Sequence, residues 1–577
     1  MGRKTYCVAN MKFTDVTALS DASVSAGDNQ SIGSLALFQN ETEVADYGTL
    51  ELNQFVLDGT KEIMTERPED IAFLSNTKSD SDCNFAENPQ IVITFTETHT
   101  SAGITLYFGK HYPAEVGVAW YTLSGVKLDS KIFYPDKEVY FCKHQVQNYG
   151  KIVITFRRTR FPDMYARAQY ILYGVELMWA DDLVKSAKLR EELDLTSATL
   201  AINTAEISIL DENNDFDIGN EDGAWKSVQK IQEVSLKEYV NGTYKNVGTF
   251  FVDSMSFKDN EATFGLIDRI GLMDKYQYAS ERIFAKEKAG IILMEIFARA
   301  GITKYLISED IFNIELSGYL PKQTCREALQ MVCFMCGAVA DDSRSDTISV
   351  YKPDRYVSAY IGTDRKLYGN SKVELDEYVS GVQIEYNRYV LEAEAKEIFK
   401  EELPIGDTKV EFSEPYDPTS LILSAGTIKA ATTDYVIVTM TEAAECVVSG
   451  KKYSANKLRY SRSVDRTEPG ETENIKKFGT CTLYNPEQLA VIAEYLLDYY
   501  KLRKKVELRY LLVGERVGNW VNVRDMYGKT ATTAIESQEI DLAGGYLATA
   551  SCRWYSIVIS ANYYTGTELY SGGGVLL

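Results

Sequence analysis

The sequence predicts a mainly β, multidomain α+β protein, and three observations lead to this prediction. Its 577 residues are enough for about three to five domains, at roughly 100–200 residues each. Tyrosine and phenylalanine are abundant, with 39 and 23 copies, and aromatic residues favour strands. Short apolar runs recur between clusters of turn residues, whereas only three segments carry the longer spacing of an amphipathic helix.

The first two segments are predicted to be an N-terminal arm or strand pair over 1–44 and a sandwich of jelly-roll type over 45–177. Short strands separated by turn residues at this spacing are typical of such sandwiches. The strands are expected at 91–95, 103–108, 116–122, 138–142 and 151–156, with turns at 123–125 and 134–136.

Residues 178–280 are predicted to form a first β block. Its clearest feature is Asn241-Gly242 between the apolar stretches 234–240 and 248–257. This dipeptide indicates a two-residue hairpin, because both of its positions must adopt positive φ. The segment 262–274 is expected to continue this block, which is mostly strand.

Residues 281–353 are predicted to form an α+β domain in the order helix, helix, strand. The first helix, 289–301, ends at Gly301, and the second, 324–338, has Thr324 at its expected N-cap. The strand is expected at 346–353.

The rest of the chain is predicted to contain a second mixed β-rich domain, a helix and a closing β block. These lie at 354–484, 485–505 and 506–563, and 564–577 is a tail. Asn485 and Pro486 are suitable for the start of the helix. Four basic residues are expected to complement the dipole at its end, namely Lys501, Arg503, Lys504 and Lys505.

Composition excludes several classes of function. The formal net charge of −22 disfavours nucleic-acid binding, which requires neutralisation of phosphates by Lys and Arg. No apolar run approaches the roughly 20 residues of a membrane span, and the start has no signal-peptide core. Nine Cys in so long a chain do not indicate a disulfide framework, so we expect a reducing cytoplasm. The last of three His is His144, which leaves most of the chain without His-dependent chemistry.

Two short motifs are weak on inspection. Cys333 and Cys336 form a C-x-x-C, but they lie on a predicted amphipathic helix without a second pair, so they are interpreted as buried small hydrophobes. Gly528-Lys529-Thr530 resembles the end of a phosphate loop, but Val523 replaces the required first glycine.

Two sets of residues remain as candidate sites, each with a structural alternative. The first is an acidic turn, either a weak calcium site or a solvated turn, because Phe216 replaces the glycine of the calcium loop. Its candidate ligands are Asp211, Asn213, Asp215 and Asp217. The second set, Tyr107, Trp120 and Tyr121, would either stack on a glycan or pack within the sheet.

Four segments in a fixed order resemble the baseplate hub class of tailed-phage and prophage tail-tip proteins, which includes the N-terminal module of tail-associated proteins. The segments are 184–217, 248–275, 321–353 and 517–554. The resemblance implies two hub-type β-barrels, side by side, that bracket two mixed α/β domains. Three copies of the barrel pair would then form a pseudo-sixfold ring that matches the tail tube.

A further resemblance, to galactose-binding jelly rolls of discoidin type, covers about residues 45–177. It rests on the segments 49–60, 88–108, 118–126 and 165–177. Such domains include both glycan binders and scaffolds, so the resemblance leaves the function open.

Together these resemblances imply a non-enzymatic virion protein without cofactors, a homotrimeric hub at the tail tip that is assembled in the bacterial cytoplasm. Its expected partners are the distal tail protein, the tail tube, the tape-measure protein and tail fibres or a spike, and it would form part of the channel for DNA ejection. The alternative is an adhesin that binds a host-surface glycan through the jelly roll. A cell-wall-degrading enzyme is the least favoured interpretation, because no set of catalytic roles can be assembled.

Overall fold

The computed structural model describes residues 5–26, 35, 38, 47–48, 51, 62–63, 72–212, 214, 216–220, 231–464, 471–524 and 530–558. The chain divides into two compact units. The N-terminal unit comprises Asn10–Trp179 and Asn214–Val234. The main unit comprises Met1–Ala9, Ala180–Asn213 and Ser235–Leu577. The predicted class, mainly β and multidomain, is confirmed.

The chain up to Ala180 contains one short α-helix and twelve strands in its described part. In order they are β1 (Thr5–Thr14), α1 (Val16–Asp21), β2 (Ser23–Ser25), β3 (Tyr47–Gly48), β4 (Glu62–Ile63), β5 (Phe73–Lys78), β6 (Gln90–Tyr107), β7 (Glu115–Tyr121), β8 (Lys127–Phe133), β9 (Val139–Arg158), β10 (Tyr165–Ala168), β11 (Tyr170–Leu172) and β12 (Gly174–Ala180).

The N-terminal unit is built around a sheet with the strand order β11-β6-β9-β7-β8, and β2 pairs with β6. A second, two-stranded sheet pairs β5 with β10. Phe73 of β5 stacks on Phe156 of β9 with ring centroids 5.2 Å apart, so the two sheets pack against each other. Alternate residues of β7 are buried between them, as expected for a strand with one face on the core.

Strands β6 and β9 correct the predicted strand boundaries. Each merges two strands that the sequence analysis separated, because the polar stretches between them remain in the ladder. Three register shifts between Thr94 and Gly103 let β6 bend while it stays paired. Gly103 has φ 144°, and an added Cβ there would lie 2.3 Å from the Cys142 carbonyl oxygen, so this bend requires glycine.

The main unit contains the remaining helices and strands. In order they are β13 (Val184–Glu192), β14 (Thr204–Leu210), β15 (Glu233–Val240), β16 (Thr243–Lys258), β17 (Glu261–Ile267), α2 (Arg269–Leu272), β18 (Gln277–Tyr278), β19 (Phe284–Lys288), α3 (Ala289–Arg299), β20 (Tyr305–Ile307), α4 (Glu309–Phe312), β21 (Glu315–Gly318), β22 (Gln323–Thr324), α5 (Cys325–Cys336), β23 (Val339–Asp341), β24 (Ile348–Tyr351), β25 (Val357–Ile361), β26 (Lys366–Leu375), β27 (Gly381–Leu403), β28 (Gly406–Glu411), β29 (Ile422–Leu423), β30 (Thr427–Ala431), β31 (Tyr435–Met440), β32 (Ala444–Ser463), β33 (Ile475–Cys481), β34 (Leu483–Tyr484), α6 (Pro486–Tyr500), β35 (Lys504–Leu511), β36 (Trp520–Arg524), β37 (Thr530–Asp541) and β38 (Leu547–Val558).

The two predicted β blocks join in one sheet of the main unit. The part of its order that holds both blocks is β15-β16-β17-β14-β13-β37-β38-β35-β26, with β36 against β37 and β25 against β36. The junction is the antiparallel pairing of β13 with β37, from Lys188 opposite Asp541 to Glu192 opposite Ser537. Asn241 and Gly242, with φ 47° and 98°, form the predicted hairpin turn between β15 and β16.

The prediction of closed barrels is wrong for the described strands. β25 and β26 are the two ends of the strand series β25-β36-β37-β38-β35-β26, but no ladder joins them in the part of the chain that the structure describes. The carbonyl of Arg365, in the turn between these strands, accepts from the Leu511 N–H at 2.9 Å. The turn is therefore bound to β35, and β25 is held separately by its parallel pairing with β36.

The three long helices, α3, α5 and α6, contribute to one buried core. Helix α5 has the predicted Thr324 cap, a capping box with Glu327, and Gly337 in the left-handed conformation at its end. Helix α6 begins with the predicted cap, Asn485. The helix ends at Tyr500, and Lys504 and Lys505 already belong to β35. The prediction that four basic residues complement the dipole at the end of α6 is therefore wrong. No helix in the described residues is long and apolar enough to span a bilayer.

A long two-stranded ribbon, β27 with β32, lies within the predicted mixed β-rich domain 354–484. At its far end, β28, β31 and β30 form a small sheet. We call residues 404–443 the tip subdomain. It has its own small core, in which Val436 and Val438 pack near Cys446 of the ribbon.

Candidate functional site

The three aromatic residues predicted as glycan contacts have different environments. Trp120 is fully buried, and its ring centroid is 5.2 Å from that of His144. Tyr107 is half-buried against Tyr170. Tyr121 is half-buried below the Lys151 ammonium, 5.6 Å from the ring centre.

These three residues do not form one site. Tyr107 lies opposite Val139 and Tyr121 opposite Lys151, which are at distant points along β9. Trp120 cannot stack on a sugar in this structure, because its strand position points into the core between the two sheets. The alternative interpretation, packing within the sheet, holds for Trp120.

The acidic turn is described only in part. Asn213 and Asp215 lie outside the described residues, whereas Asp211 is buried and belongs to the main unit. Asp217 belongs to the N-terminal unit and accepts a hydrogen bond from the Gly219 N–H at 2.9 Å. Among the described residues, no group of three or more His, Cys, Asp or Glu could hold a metal ion. The choice between a calcium site and a solvated turn thus stays open.

The C-x-x-C motif is explained by packing, and the glycine-lysine-threonine motif lies partly outside the described residues. Cys333 and Cys336 are fully buried on α5, and burial raises the pKa of the Cys336 thiol to about 12, so both are neutral thiols at neutral pH. Of the glycine-lysine-threonine sequence only Thr530 is described, and it begins strand β37.

A buried histidine in the N-terminal unit was not selected by the sequence analysis. The Nδ1 atom of His99 is 3.0 Å from Asp15 Oδ2, and its Nε2 atom is 3.0 Å from Asp21 Oδ2. Both nitrogens can donate only when the imidazole is protonated. The two carboxylates flank α1, so this Asp–His–Asp cluster fastens α1 onto β6 of the sheet.

Hydrogen bonds shift the pKa of both carboxylates in the cluster. Burial opposes the ionisation of Asp15, but hydrogen bonds from Thr17, the Ala18 N–H and His99 hold its pKa below the usual value. Donation from Thr96 and then His99 lowers the pKa of Asp21 as well. Both carboxylates are thus ionised at neutral pH.

A second buried network lies at the junction of the two β blocks in the main unit. Glu191 of β13 accepts from Arg344 Nε at 2.9 Å and from Gln538 Nε2 of β37 at 2.6 Å. Arg344 also donates to the Glu515 carbonyl, and the Glu515 carboxylate pairs with Arg365 at 2.6 Å. All but Arg365 are nine-tenths or more buried, so their mutual pairing replaces water. We call Glu191, Arg344, Glu515 and Gln538 the junction network.

Another buried cluster connects the first β block to the loop before β24. Asp268 accepts from the backbone N–H groups of Asn203 and Gly271, at 2.9 and 2.7 Å. Asp342 accepts from Arg269 Nη1 at 3.1 Å. Burial, with the nearby Asp341 charge, raises the pKa of Asp268. Burial, followed by the nearby Asp268 charge, also raises the pKa of Asp342.

The main unit also carries an open polar groove of about 430 Å³ on the face of its sheet. Gly265 lines this groove, and an added Cβ there would lie 2.3 Å from Ser254 Oγ. Lys188, Glu206 and Glu539 are among its lining residues. Charges of both signs line the groove, so its charge selects no class of ligand.

The edges of the main sheet expose apolar side chains. Val373 and Leu375 of β26 are exposed, and so are Tyr356 and Tyr360 at β25. Within the described chain each of these strands has a partner on one side only. Free strand edges with apolar side chains are suitable surfaces for assembly.

The sequence carries no local signal for most of these sites. Asp15 and His99 are 84 residues apart, and Glu191 and Gln538 are 347 residues apart, so only the fold brings them together. One signal was available: Asp15 stands at a helix N-cap position before Val16, with Thr17 beside it.

Comparison with known proteins gives a partial likeness to tail proteins. No protein-family model and no curated protein matches this chain. The tail protein from Neisseria meningitidis MC58 is 12% identical over 64% of this chain and 92% of its own, with a TM-score of 0.40. The 43 kDa tail protein of prophage MuSo2 from Shewanella oneidensis is 11% identical over 65% of this chain and 95% of its own, with a TM-score of 0.39.

A prophage tail protein from Listeria monocytogenes EGD-e is 8% identical over 66% of this chain and 91% of its own, with a TM-score of 0.37. All three TM-scores lie below 0.5, so the similarity is too low to assign a family or a function to this chain.

Proposed function

We propose that this chain is a structural virion protein, a homotrimeric baseplate hub at the tail tip of a tailed phage or prophage. The observation that carries the proposal is the pairing of β13 with β37, which joins two β blocks about 350 residues apart in one sheet. The sequence resemblance implies two such blocks side by side. The exposed edges at β25 and β26 support assembly through strand edges.

In this role the chain links the tail tube or distal-tail ring to fibres or a spike and lines part of the DNA channel. Its partners are the distal tail protein, the tail tube and the tape-measure protein. The charge of −22 supports a channel role, because acidic walls repel phosphate. In this role the buried networks hold elements of the fold together and have no catalytic part. The protein uses no cofactor.

Light scattering of the purified chain over a concentration series tests the proposal. A hub predicts a particle of three times 64.9 kDa. The double change Val373→Glu and Leu375→Glu adds two negative charges at the β26 edge and is expected to weaken the trimer, whereas Val491→Glu, at an exposed apolar position on α6, is the control. A chain that stays monomeric alone and in the presence of tail-tube protein contradicts the proposal.

The alternative is a glycan-binding adhesin, supported by the half-buried rings of Tyr107 and Tyr121. It predicts binding of the full chain to cell-wall polysaccharide, lost in Tyr107→Ala or Tyr121→Ala but retained in Tyr134→Ala, where an exposed tyrosine lies elsewhere. Absence of binding to a polysaccharide array contradicts the adhesin and leaves the hub untouched.

A further inference from the structure

Strand β8 is an exposed edge of the N-terminal unit. In the described part of the chain it pairs only with β7, and its residues from Lys127 to Ile132 are all exposed. Leu128 and Ile132 are 41% and 40% exposed, which is unusual for apolar side chains on a strand. Every second residue of such an edge directs its N–H and C=O away from the neighbouring strand, towards the position of a further strand.

The pairing with β7 determines which side chains share a face. Asp129 lies opposite Trp120, and Lys131 lies opposite Val118. Because directly opposed residues point to the same face, Asp129 and Lys131 lie on one face of β8. Ser130 is the residue between them.

The sequence around Ser130 is nearly palindromic in chemistry. It reads Leu128-Asp129-Ser130-Lys131-Ile132. If β8 pairs antiparallel with a second β8 about Ser130, each Asp129 lies opposite Lys131 of the other copy. The same register brings Leu128 opposite Ile132, so charge and apolar surface are both complementary.

We propose that β8 pairs with β8 of a second copy of this chain around a twofold axis at Ser130. The pairing extends the sheet of the N-terminal unit across two molecules. An isologous contact of this kind satisfies both charge pairs at once, because each copy supplies one carboxylate and one ammonium to the other.

The groups around Asp129 are compatible with this contact. One of its oxygens accepts from His144 Nε2 at 2.8 Å and the other from the Ser130 N–H at 2.7 Å. A carboxylate offers about four lone-pair sites, so it can still accept from a lysine across the strand pair. The Lys131 ammonium has a 3.4 Å contact with the Lys143 carbonyl and lies 5.5 Å from the centre of the Phe133 ring. Its residue is exposed and both contacts are weak, so the ammonium can turn outward.

The contact is small and is expected to be weak. A seven-residue strand contributes a few backbone hydrogen bonds and much less area than the roughly 1,200–2,000 Å² of a stable interface. We therefore expect association at micromolar concentration, and stronger pairing when several copies are joined in one particle.

Sedimentation velocity of the full chain, over about 1–100 μM, tests the proposal with a charge exchange. The mass of the wild-type particle should double as the protein concentration rises, whether the particle at low concentration is a monomer or a trimer. Asp129→Lys or Lys131→Asp places like charges opposite each other and should raise the midpoint concentration about tenfold. Lys127→Asp makes the same charge change as Lys131→Asp but lies at the end of β8, so it is the matched control.

The decisive experiment is sedimentation of an equimolar mixture of the two single variants. In a mixed pair, both positions of one copy are lysine and both of the other are aspartate, so every opposed pair is again complementary. We expect the equimolar mixture, and the double variant Asp129→Lys/Lys131→Asp, to recover the doubling. A mass that does not depend on concentration, or doubling that persists in both single variants or fails to return in the mixture, overturns the proposal.

The result is independent of the hub assignment. A trimer that does not double refutes β8 pairing alone. A monomer that doubles through β8 supports the pairing and counts against the trimer.

Discussion

At the scale of single residues, this protein is organised by charged groups that are buried and paired. Arg344 lies in a loop, yet it binds Glu191 on β13 and the backbone of Glu515. Burying an ion pair costs desolvation free energy. Removing one partner alone is therefore more damaging than replacing both, because it leaves a buried charge unpaired. Such pairs specify which elements meet, because a wrong arrangement leaves a charge without a partner.

The junction network predicts a strong effect of Arg344→Met. This change leaves the Glu191 carboxylate without the guanidinium, and we expect a loss of about 3–5 kcal/mol in the stability of the main sheet. Hydrogen exchange of peptides from β13 and β37 measures it. The double variant Glu191→Gln/Arg344→Met should lose less than the sum of its single changes, and additive losses would contradict the pairing.

The His99 cluster predicts a stability effect that depends on pH. His99→Ala should cost the N-terminal unit about 2–4 kcal/mol at neutral pH, measured by urea unfolding, because two carboxylates lose their buried partner. His144→Ala, whose partner Asp129 is exposed, is the control and should cost less.

The sign of the pH dependence follows from the lowered pKa values of Asp15 and Asp21. Their stabilising contribution is complete above about pH 4, the unfolded-state value, and is lost as pH falls through the folded-state values. The difference between wild type and His99→Ala should therefore shrink in acid. A difference that grows as pH falls below 4 would contradict the assignment.

At the scale of elements, the ribbon of β27 and β32 shows how pairing overrides composition. The stretch 391–403 has alternating Glu, Ala and Lys that do not indicate a strand, but nineteen pairs of residues join it and the rest of β27 to β32. The tip subdomain is also anchored at its base. The Tyr319 hydroxyl donates to Asp434, and the Thr433 N–H donates to the Glu281 carbonyl at 3.0 Å.

Tyr319→Phe is expected to loosen this anchor. Asp434 is partly buried, and burial raises its pKa, so the loss of the hydroxyl removes a donor that water replaces poorly. Amide exchange in the tip subdomain should become about tenfold faster, as measured by mass spectrometry. In the control Tyr389→Phe, the lost hydroxyl bonds to Asn387 of the ribbon, so the rate at the tip should stay unchanged.

Helix α5 offers a local test of the sequence reasoning. Gly337 ends it with φ 62°, and an added Cβ would meet only Ile492 Cγ1, at 3.7 Å. Gly337→Ala should therefore cost about 1 kcal/mol through backbone strain alone, measured by hydrogen exchange of α5. A much larger loss would indicate a clash that the structure does not contain.

At the scale of the whole molecule, the charge of −22 sets how assembly depends on salt. Chains of like charge repel, and ions screen that repulsion. We expect the trimer of the proposed hub to tighten as salt rises from about 20 to 300 mM, measured by light scattering. Salt also screens the attraction between Asp129 and Lys131, so pairing through β8 should tighten less than the trimer over the same range.

The sequence by itself determined the class of the protein, its three long helices, its hairpin turn and the packing role of Cys333 and Cys336. These depend on local features, such as the caps Thr324 and Asn485 and the positive φ that Asn241-Gly242 tolerates. Only the tertiary structure decided that β6 and β9 stay continuous, that the two β blocks share one sheet, and that His99 and Arg344 are paired. Strand pairing and burial join residues far apart in the chain, and no local pattern encodes which distant partner a strand or a charge will meet.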